Sequence, residues 1–310
     1  MSKRVSAACW SCWEPLRGSE KRYHPACLRR VFGRTVVPEI AVDPASLHLL
    51  GAEMAGRVSL SGVQRKVSLG WSHRSLRVSA AQAAFILKPG ESAFPALPEN
   101  EALSLSLARD FGLETAASAL VELPGGSRGL IVRRFDRAGH SRRIHMEDFC
   151  QLAEQEPARK YEGSAELCMR LVRECTSVPG VQAGLLFRRF LFAWWIGDGD
   201  LHLKNLSLLR PSRGQVALAP AYDTVNTTIL LPAERLALPL RGKRARLDRA
   251  DWRAFGAYAM LPVRVVEEEL DRPRQLLAAA REKVRRSLLP EGLRNGYLTV
   301  LEERAESTGQ

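Results

Sequence analysis

The spacing of apolar positions changes character near the middle of the chain. Val67-Ser68-Leu69-Gly70 and Leu76-Arg77-Val78 alternate apolar and polar, and Ala84-Phe85-Ile86-Leu87 is a short apolar run halted at Lys88-Pro89-Gly90. These are strand patterns closed by turn residues. Pro98-Glu99-Asn100-Glu101 opens a helical pattern through Leu103, Leu107 and Ala108 that ends at Gly112, with an acidic first turn and a glycine stop. Val121-Glu122-Leu123 and Leu130-Ile131-Val132, separated by Pro124-Gly125-Gly126, predict a hairpin. Beyond it the period becomes helical. Ala165 to Glu174 is amphipathic, Val181 to Ile196 is apolar and aromatic-rich enough to predict a buried central helix, and Val263 to Leu288 includes one long helical pattern. The polar tail from Glu302 predicts fraying. The expectation is an α+β chain: a small antiparallel sheet with one helix, then a mostly helical half, with no internal repeat.

Composition narrows the class. The chain has 310 residues, 45% of them apolar, enough for a substantial core in two parts. No run of 18 or more apolar residues is present, which argues against a membrane span, and the start turns polar too soon for a signal peptide. Six irregularly spaced cysteines read as reduced thiols of a cytoplasmic protein. The net charge of +12 fits either a polyanionic partner or an arginine-rich background composition. Basic residues concentrate at Arg241 to Arg246 and Arg281 to Arg286, without the interleaved aromatics of an RNA-binding surface. Residues 1–40 form a short unit of their own. In it Cys9 and Cys12 are followed by His24 and Cys27, four soft ligands at knuckle spacing for a closed, structural zinc. The competing reading is three unrelated thiols and a surface histidine on a hairpin.

The most informative segment is Gly197-Asp198-Gly199-Asp200-Leu201-His202-Leu203-Lys204-Asn205. An aspartate five positions before an asparagine, just past an apolar run, is the spacing of a kinase catalytic loop: the aspartate orients the attacking hydroxyl and the asparagine holds Mg²⁺. Asp200 fits the catalytic place; Asp198 is the rival acid but lies seven positions from Asn205. Lys204 could offset charge on the transferred phosphoryl group, and His202 reads as a loop-holding residue. The plain alternative is a helix-terminating glycine-rich loop with solvated charges. Tyr222-Asp223 stands where a second metal-binding acid is needed, and Mg²⁺ is satisfied by one or two protein oxygens plus phosphates, so Asn205 and Asp223 suffice. Upstream, Lys88 ends a strand and Glu101, thirteen residues on, could pair with it; otherwise Glu101 only complements the helix dipole. Ser59-Leu60-Ser61-Gly62-Val63-Gln64-Arg65-Lys66 is a small-residue turn whose N–H groups could cradle phosphates, or a plain hairpin turn. Glu147-Asp148-Phe149, at the switch to helical sequence, suits an adenine-binding hinge, an N-capped helix start, or both.

Together with Arg134-Phe135-Asp136-Arg137, Lys160-Tyr161-Glu162 and Pro220-Ala221-Tyr222-Asp223, these segments resemble HipA-type serine/threonine kinases, the toxins of bacterial toxin–antitoxin modules. The motifs run in family order over residues 55 to 245. The double serine of Ser59-Leu60-Ser61-Gly62 and the segment Ala237-Leu238-Pro239-Leu240 look like the short HipT branch. There a separate small protein supplies the N-terminal subdomain that full-length HipA proteins carry, and acts as antitoxin. The resemblance implies a two-lobed kinase-like fold, with an N-lobe over 41–144 and a helical C-lobe over 145–310. It implies ATP binding by Ser61, Gly62, Val63, Gln64, Arg65, Lys66, Lys88, Glu147, Asp148, Phe149, His202, Leu203, Lys204, Asn205, Tyr222 and Asp223, with Asp200 catalytic. Autophosphorylation at Ser59 or Ser61 is implied too, as are an aminoacyl-tRNA synthetase as substrate and antitoxin partners of the helix-turn-helix HipB and small HipS kinds. Nothing in the chain looks like a helix-turn-helix, so sequence-specific DNA binding by this chain is not expected. The alternatives are a small-molecule or antibiotic kinase, and an inactive protein that sequesters an antitoxin.

Overall fold

The structure is a computed structural model. It describes residues 7–42, 65–79, 83–138, 142–211, 213–231 and 235–308. Ser59, Ser61, Gly62, Val63 and Gln64 lie outside the described residues. The chain folds into two compact units. The first comprises residues 1–106, 116–142 and 282–290, the second 107–115, 143–281 and 291–310.

The first unit is built on a six-stranded sheet in the order β1-β3-β2-β4-β6-β5. Its strands are β1 (Glu39–Ala41), β2 (Val67–Ser72), β3 (Ser75–Val78), β4 (Phe85–Pro89), β5 (Ser118–Glu122) and β6 (Arg128–Arg133). The strands expected from alternation are all present. β1, too short to show a period, was not, and it joins β3 in parallel. The expected hairpin is β5–β6, with Leu120 opposite Leu130. One face carries a core of Val67, Leu69, Leu76, Phe85, Leu87, Val121 and Ile131. Leu28, Val31 and Phe32 of α1 (Pro25–Phe32) pack into the same core. The helix begun at Leu97 is α2 (Leu97–Asp110), closed by Gly112 at φ +86°. The Cys/His segment, read from the sequence as a separate unit, belongs to this first unit. A two-stranded ribbon, β7 (Arg137–Ala138) and β8 (Arg142–Arg143), completes it.

The second unit is mostly helical, with one correction: it also holds a three-stranded sheet, β11-β10-β9. These strands are β9 (His145–Asp148), β10 (Ser207–Arg210) and β11 (Ala217–Leu218); two to four residues are too few to stand out as a period. α3 (Phe149–Leu152) follows β9, then α4 (Ala165–Cys175) and α5 (Pro179–Ile196). α5 is the buried helix its composition predicts: Phe187, Phe190, Phe192, Trp194 and Trp195 are all buried. Phe111 packs on Phe192 and Trp195 at ring centroid distances of 5.2 and 5.3 Å. Phe187 stacks on Phe255 of α6 (Arg249–Tyr258) at 5.7 Å. α7 (Val263–Arg286) and α8 (Glu291–Ser307) close the chain. The tail does not fray as expected: Tyr297, Leu301, Ala305 and Thr308 are buried, and the Arg249 guanidinium donates to the Thr308 carbonyl at 2.6 Å. Among the described residues no helix is long and apolar enough to cross a membrane.

α5 must stop sharply to release the loop that follows. Gly197 does this at φ +78°, its N–H capping the last turn. A Cβ there would lie 2.6 Å from Thr228 Oγ1 and 2.9 Å from Asn226 Oδ1. Gly197→Ala therefore combines left-handed strain with overpacking. The expected loss is about 2–4 kcal/mol in urea unfolding, with the m-value unchanged.

Candidate functional site

In the first unit, Lys88 sits on β4 opposite Leu130 of β6. Its ammonium is 2.5 Å from Glu101 Oε1 of α2, and both side chains are almost wholly buried, 3% and 1% exposed. A strand-end lysine and a glutamate just past the first turn of α2 thus form the pair their spacing allowed. A first-turn carboxylate of the same helix, Glu99, accepts from Arg128 Nε at 2.5 Å. Arg65, from the expected phosphate loop, contacts Glu91 through both its backbone N–H and its Nε, each at 3.1 Å; Lys66 is exposed. Asp136 of the Arg-Phe-Asp-Arg segment receives a two-pronged contact from Arg134, at 2.9 and 2.6 Å, and another from Arg137. Burial alone would raise its carboxyl, but the two arginines hold it below the ordinary aspartate value.

In the second unit the loop after α5 is folded on itself. Asp198 is buried and its Oδ1 accepts the Asp200 N–H at 3.0 Å. Thr227 Oγ1 accepts the Gly199 N–H at 2.8 Å and donates to the Gly197 carbonyl at 3.1 Å. Asn205 Nδ2 donates to the Asp200 carbonyl at 2.8 Å. That bond fixes which end of the amide is which, so Oδ1 is the end able to act as a metal ligand. The five-residue spacing from Asp200 to Asn205 is therefore a closed loop rather than a solvated tail. Asp198 shapes the loop, while Asp200, half-buried, presents its carboxylate to Tyr161, whose hydroxyl donates to Oδ1 at 2.5 Å. His202 is buried, 3.9 Å from that same oxygen through Nε2, and meets the Tyr161 ring edge-on at 5.1 Å. Leu203 is buried in the core, and its N–H donates to the Lys160 carbonyl at 3.1 Å.

The expected hinge is a strand end and a helix cap together. Glu147 lies on β9 opposite Leu208 and pairs with Arg210 at 3.0 Å. Asp148 caps α3 through a reciprocal bond with Gln151, and its other oxygen meets Lys204 Nζ at 3.1 Å. Phe149 is buried, its N–H bonded to the Leu206 carbonyl at 3.0 Å.

Two residues given no role from the sequence organise this site. One is Tyr161. The other is Arg189, buried within the apolar helix α5. It donates to the carbonyls of Asn205 at 2.9 Å and Ala219 at 3.2 Å, and its guanidinium lies 5.6 Å from the Tyr222 ring centroid. Burial lowers its pKa from the ordinary value, against the opposing pull of Tyr222, Asp198 and Asp223. Tyr222 in turn donates to the Lys204 carbonyl at 3.0 Å and meets Ser207 Oγ at 2.5 Å; burial raises its phenol above the ordinary value. Arg189 and Tyr222 thus tie the segment carrying Asp223 to the one carrying Asn205. Asp223 adopts a left-handed backbone at φ +49°, a conformation aspartate tolerates better than most residues but still at some cost. Arg189→Leu removes two charge-assisted bonds while keeping apolar bulk. The expected loss is about 2–3 kcal/mol, with turnover falling more than the melting temperature shift explains; an unchanged rate in the folded variant would remove Arg189 from the site.

Asn205 Oδ1 and the Asp223 carboxylate are hard oxygen donors, which would suit Mg²⁺ rather than a soft metal. In the first unit, one sulfur each from Cys9, Cys12 and Cys27 and a nitrogen of His24 all lie within 4.8 Å of one another.

Residues 58–286 match the HipA-like C-terminal domain family. The chain is 33% identical over 238 residues to a putative kinase, Y4mE, of Sinorhizobium fredii (strain NBRC 101917 / NGR234), covering 72% of this chain and 56% of that protein. It is 28% identical over 221 residues to a putative kinase of Haemophilus influenzae (strain ATCC 51907 / DSM 11121 / KW20 / Rd), covering 66% and 63%. The chain therefore spans less than two thirds of the length of these curated relatives. Among solved structures it resembles HipA of Shewanella oneidensis MR-1, in a complex with HipB and operator DNA, with a TM-score of 0.71, 24% identity and coverage of 81% of this chain and 65% of that one. It also resembles the Helicobacter pylori proinflammatory kinase CtkA, with a TM-score of 0.55, 16% identity and coverage of 78% and 90%. At these identities the structural likeness concerns the α+β fold. With its motifs in order and most of its length matched, the chain belongs to the HipA-like C-terminal domain family of kinases.

Proposed function

We propose that this protein is an ATP-dependent protein serine/threonine kinase and the toxin of a HipA-type toxin–antitoxin module. The observation that carries the reading is the Asp200–Asn205 loop, closed on itself and braced by Tyr161 and Arg189. Phosphoryl transfer asks little covalent chemistry of a protein; positioning and charge stabilisation do most of it. Asp200 would accept the hydrogen bond, and then the proton, of the attacking hydroxyl. Lys88, oriented by Glu101, would neutralise phosphate oxygens of ATP. Asn205 and Asp223 would hold Mg²⁺, which supplies charge neutralisation on the phosphates. Glu147 to Phe149 would meet the adenine, and Arg65 and Lys66 would continue the phosphate contacts begun by Ser61 to Gln64.

The family resemblance supports an aminoacyl-tRNA synthetase as substrate and an antitoxin partner of the HipB or HipS kind, with this chain reading no DNA sequence itself. It also supports autophosphorylation at Ser59 or Ser61. A phosphoserine adds up to about two negative charges in the loop that must approach ATP, and so would switch the enzyme off by repulsion.

Transfer of radiolabel from ATP, with and without cell lysate, tests the reading. Wild type is expected to label itself and a band of synthetase size, and Asp223→Asn to label neither. Ser59→Ala combined with Ser61→Ala is expected to keep the second band and lose the first. Labelling of a small molecule instead of any protein would favour an antibiotic-type kinase.

A further inference from the structure

We propose that Cys9, Cys12, His24 and Cys27 form a closed zinc site whose work is to clamp the N-terminal knuckle over the β5 edge of the six-stranded sheet. The proposal is independent of the kinase reading.

The ligands come from two rigid pieces. Cys9 and Cys12 flank a tight turn in which the Trp13 N–H returns to the Cys9 carbonyl at 2.8 Å and the Cys9 N–H to Glu14 at 2.9 Å. Trp13 itself is left-handed, at φ +61°, and fully buried. His24 is the N-cap of α1 and Cys27 lies in its first turn. Cys12 Sγ is 3.2 Å, and Cys27 Sγ 3.9 Å, from His24 Nδ1. Around tetrahedral zinc, bond lengths of about 2.3 Å to sulfur and 2.0 Å to nitrogen place ligand atoms about 3.5–3.8 Å apart, so only small side-chain adjustments are needed. The other histidine nitrogen identifies the tautomer. Nε2 lies 3.1 Å from the Pro15 carbonyl, which can only accept, so Nε2 carries the proton and the Nδ1 lone pair faces the three sulfurs. A carbonyl orienting the remote nitrogen is the usual outer support of a metal-bound histidine.

The surroundings show what the metal holds. β5 ends the sheet, and an open edge exposes unpaired N–H and C=O groups. The knuckle covers that edge. The Leu120 N–H donates to the Trp10 carbonyl at 3.0 Å. The Tyr23 hydroxyl donates to the Leu120 carbonyl at 2.6 Å, and the Ser11 hydroxyl to the Ser118 carbonyl at 2.7 Å. α1, which brings His24 and Cys27, buries Leu28, Val31 and Phe32 in the sheet core, with Phe32 5.9 Å from Phe85. The knuckle also reaches α2, the helix of Glu101: the Ser106 hydroxyl donates to the Cys12 carbonyl at 2.9 Å. One metal thus joins a turn that caps the edge to a helix that packs on the face.

The purified full chain is expected to carry one zinc. Replacing it with Co²⁺ is expected to give intense visible bands of tetrahedral cobalt and a thiolate charge-transfer band in the near ultraviolet. Cys12→Ser and Cys27→Ser are expected to lose the metal, and His24→Cys to keep it with a shifted spectrum. Removing zinc from wild type with a chelator is expected to speed exchange of the Leu120 amide by about tenfold or more, while Leu87, on an interior strand, changes less. If a serine variant does not fold, the wild-type cobalt spectrum and the chelation experiment decide. A weak six-coordinate cobalt spectrum, or zinc absent from wild type, would overturn the site. Unchanged Leu120 exchange after zinc removal would overturn the clamp.

Discussion

Lys88→Met is expected to destabilise the protein by about 3–5 kcal/mol and to abolish phosphoryl transfer. The stability loss follows from burial. Lys88 and Glu101 are both almost inaccessible and meet at 2.5 Å; removing one partner strands the other's charge inside the protein. Glu101→Leu should cost a similar amount. The double variant Lys88→Met/Glu101→Leu should recover most of the loss, because two apolar groups of similar volume replace a desolvated ion pair. Activity should not recover with it, since the ammonium proposed to neutralise phosphate is gone. Urea unfolding and label transfer on the three variants make the test. A double variant as unstable as the singles would mean the pair holds the fold through other contacts. A double variant that regains activity would remove Lys88 from phosphate binding.

The legibility of the sequence followed how local each signal was. Lys88 and Glu101 were readable because a strand end and a helix start are local patterns and thirteen residues is a short separation. The Asp200–Asn205 loop was readable because its closing bond, Asn205 Nδ2 to the Asp200 carbonyl, is made within one turn of chain. Tyr161 was not, being thirty-nine positions from the carboxylate it donates to; a loop tyrosine has no period and no partner visible in sequence. Arg189 left one trace. An arginine among Leu186, Phe187, Phe190, Leu191 and Phe192, all buried, must bond something, because a buried guanidinium without partners is too costly to persist. Sequence could not say that its partners are the Asn205 and Ala219 carbonyls. The same limit hid β9, whose pairing with β10 is long-range, and the packing of the tail, where a polar-looking helix hides Tyr297, Leu301 and Ala305 on one face.

The spacing left two acids for the catalytic role, and the geometry separates them in a way kinetics can read. Asp200→Asn is expected to cut turnover by about 10²–10⁴-fold while changing stability by no more than about 0.5 kcal/mol. The loop bonds of residue 200 run through its backbone: its N–H to Asp198 and its carbonyl from Asn205. An asparagine keeps both and still offers an oxygen to Tyr161, while the carboxylate proposed as proton acceptor is lost. Asp198→Asn should show the opposite balance. Asp198 is 1% exposed and holds the loop with its side chain, so the change should lower stability and reduce turnover only as far as the loop loosens. Tyr161→Phe supplies the third point. It leaves the acid in place but removes the 2.5 Å bond that orients it, a hydrogen bond to a charged group worth about 1.5–3 kcal/mol. Its turnover should fall roughly ten- to a hundredfold, the KM for ATP staying constant, because no residue proposed to bind ATP is replaced. If Asp198→Asn instead loses turnover at full stability while Asp200→Asn keeps it, the proton acceptor is Asp198, and Tyr161 orients a bystander.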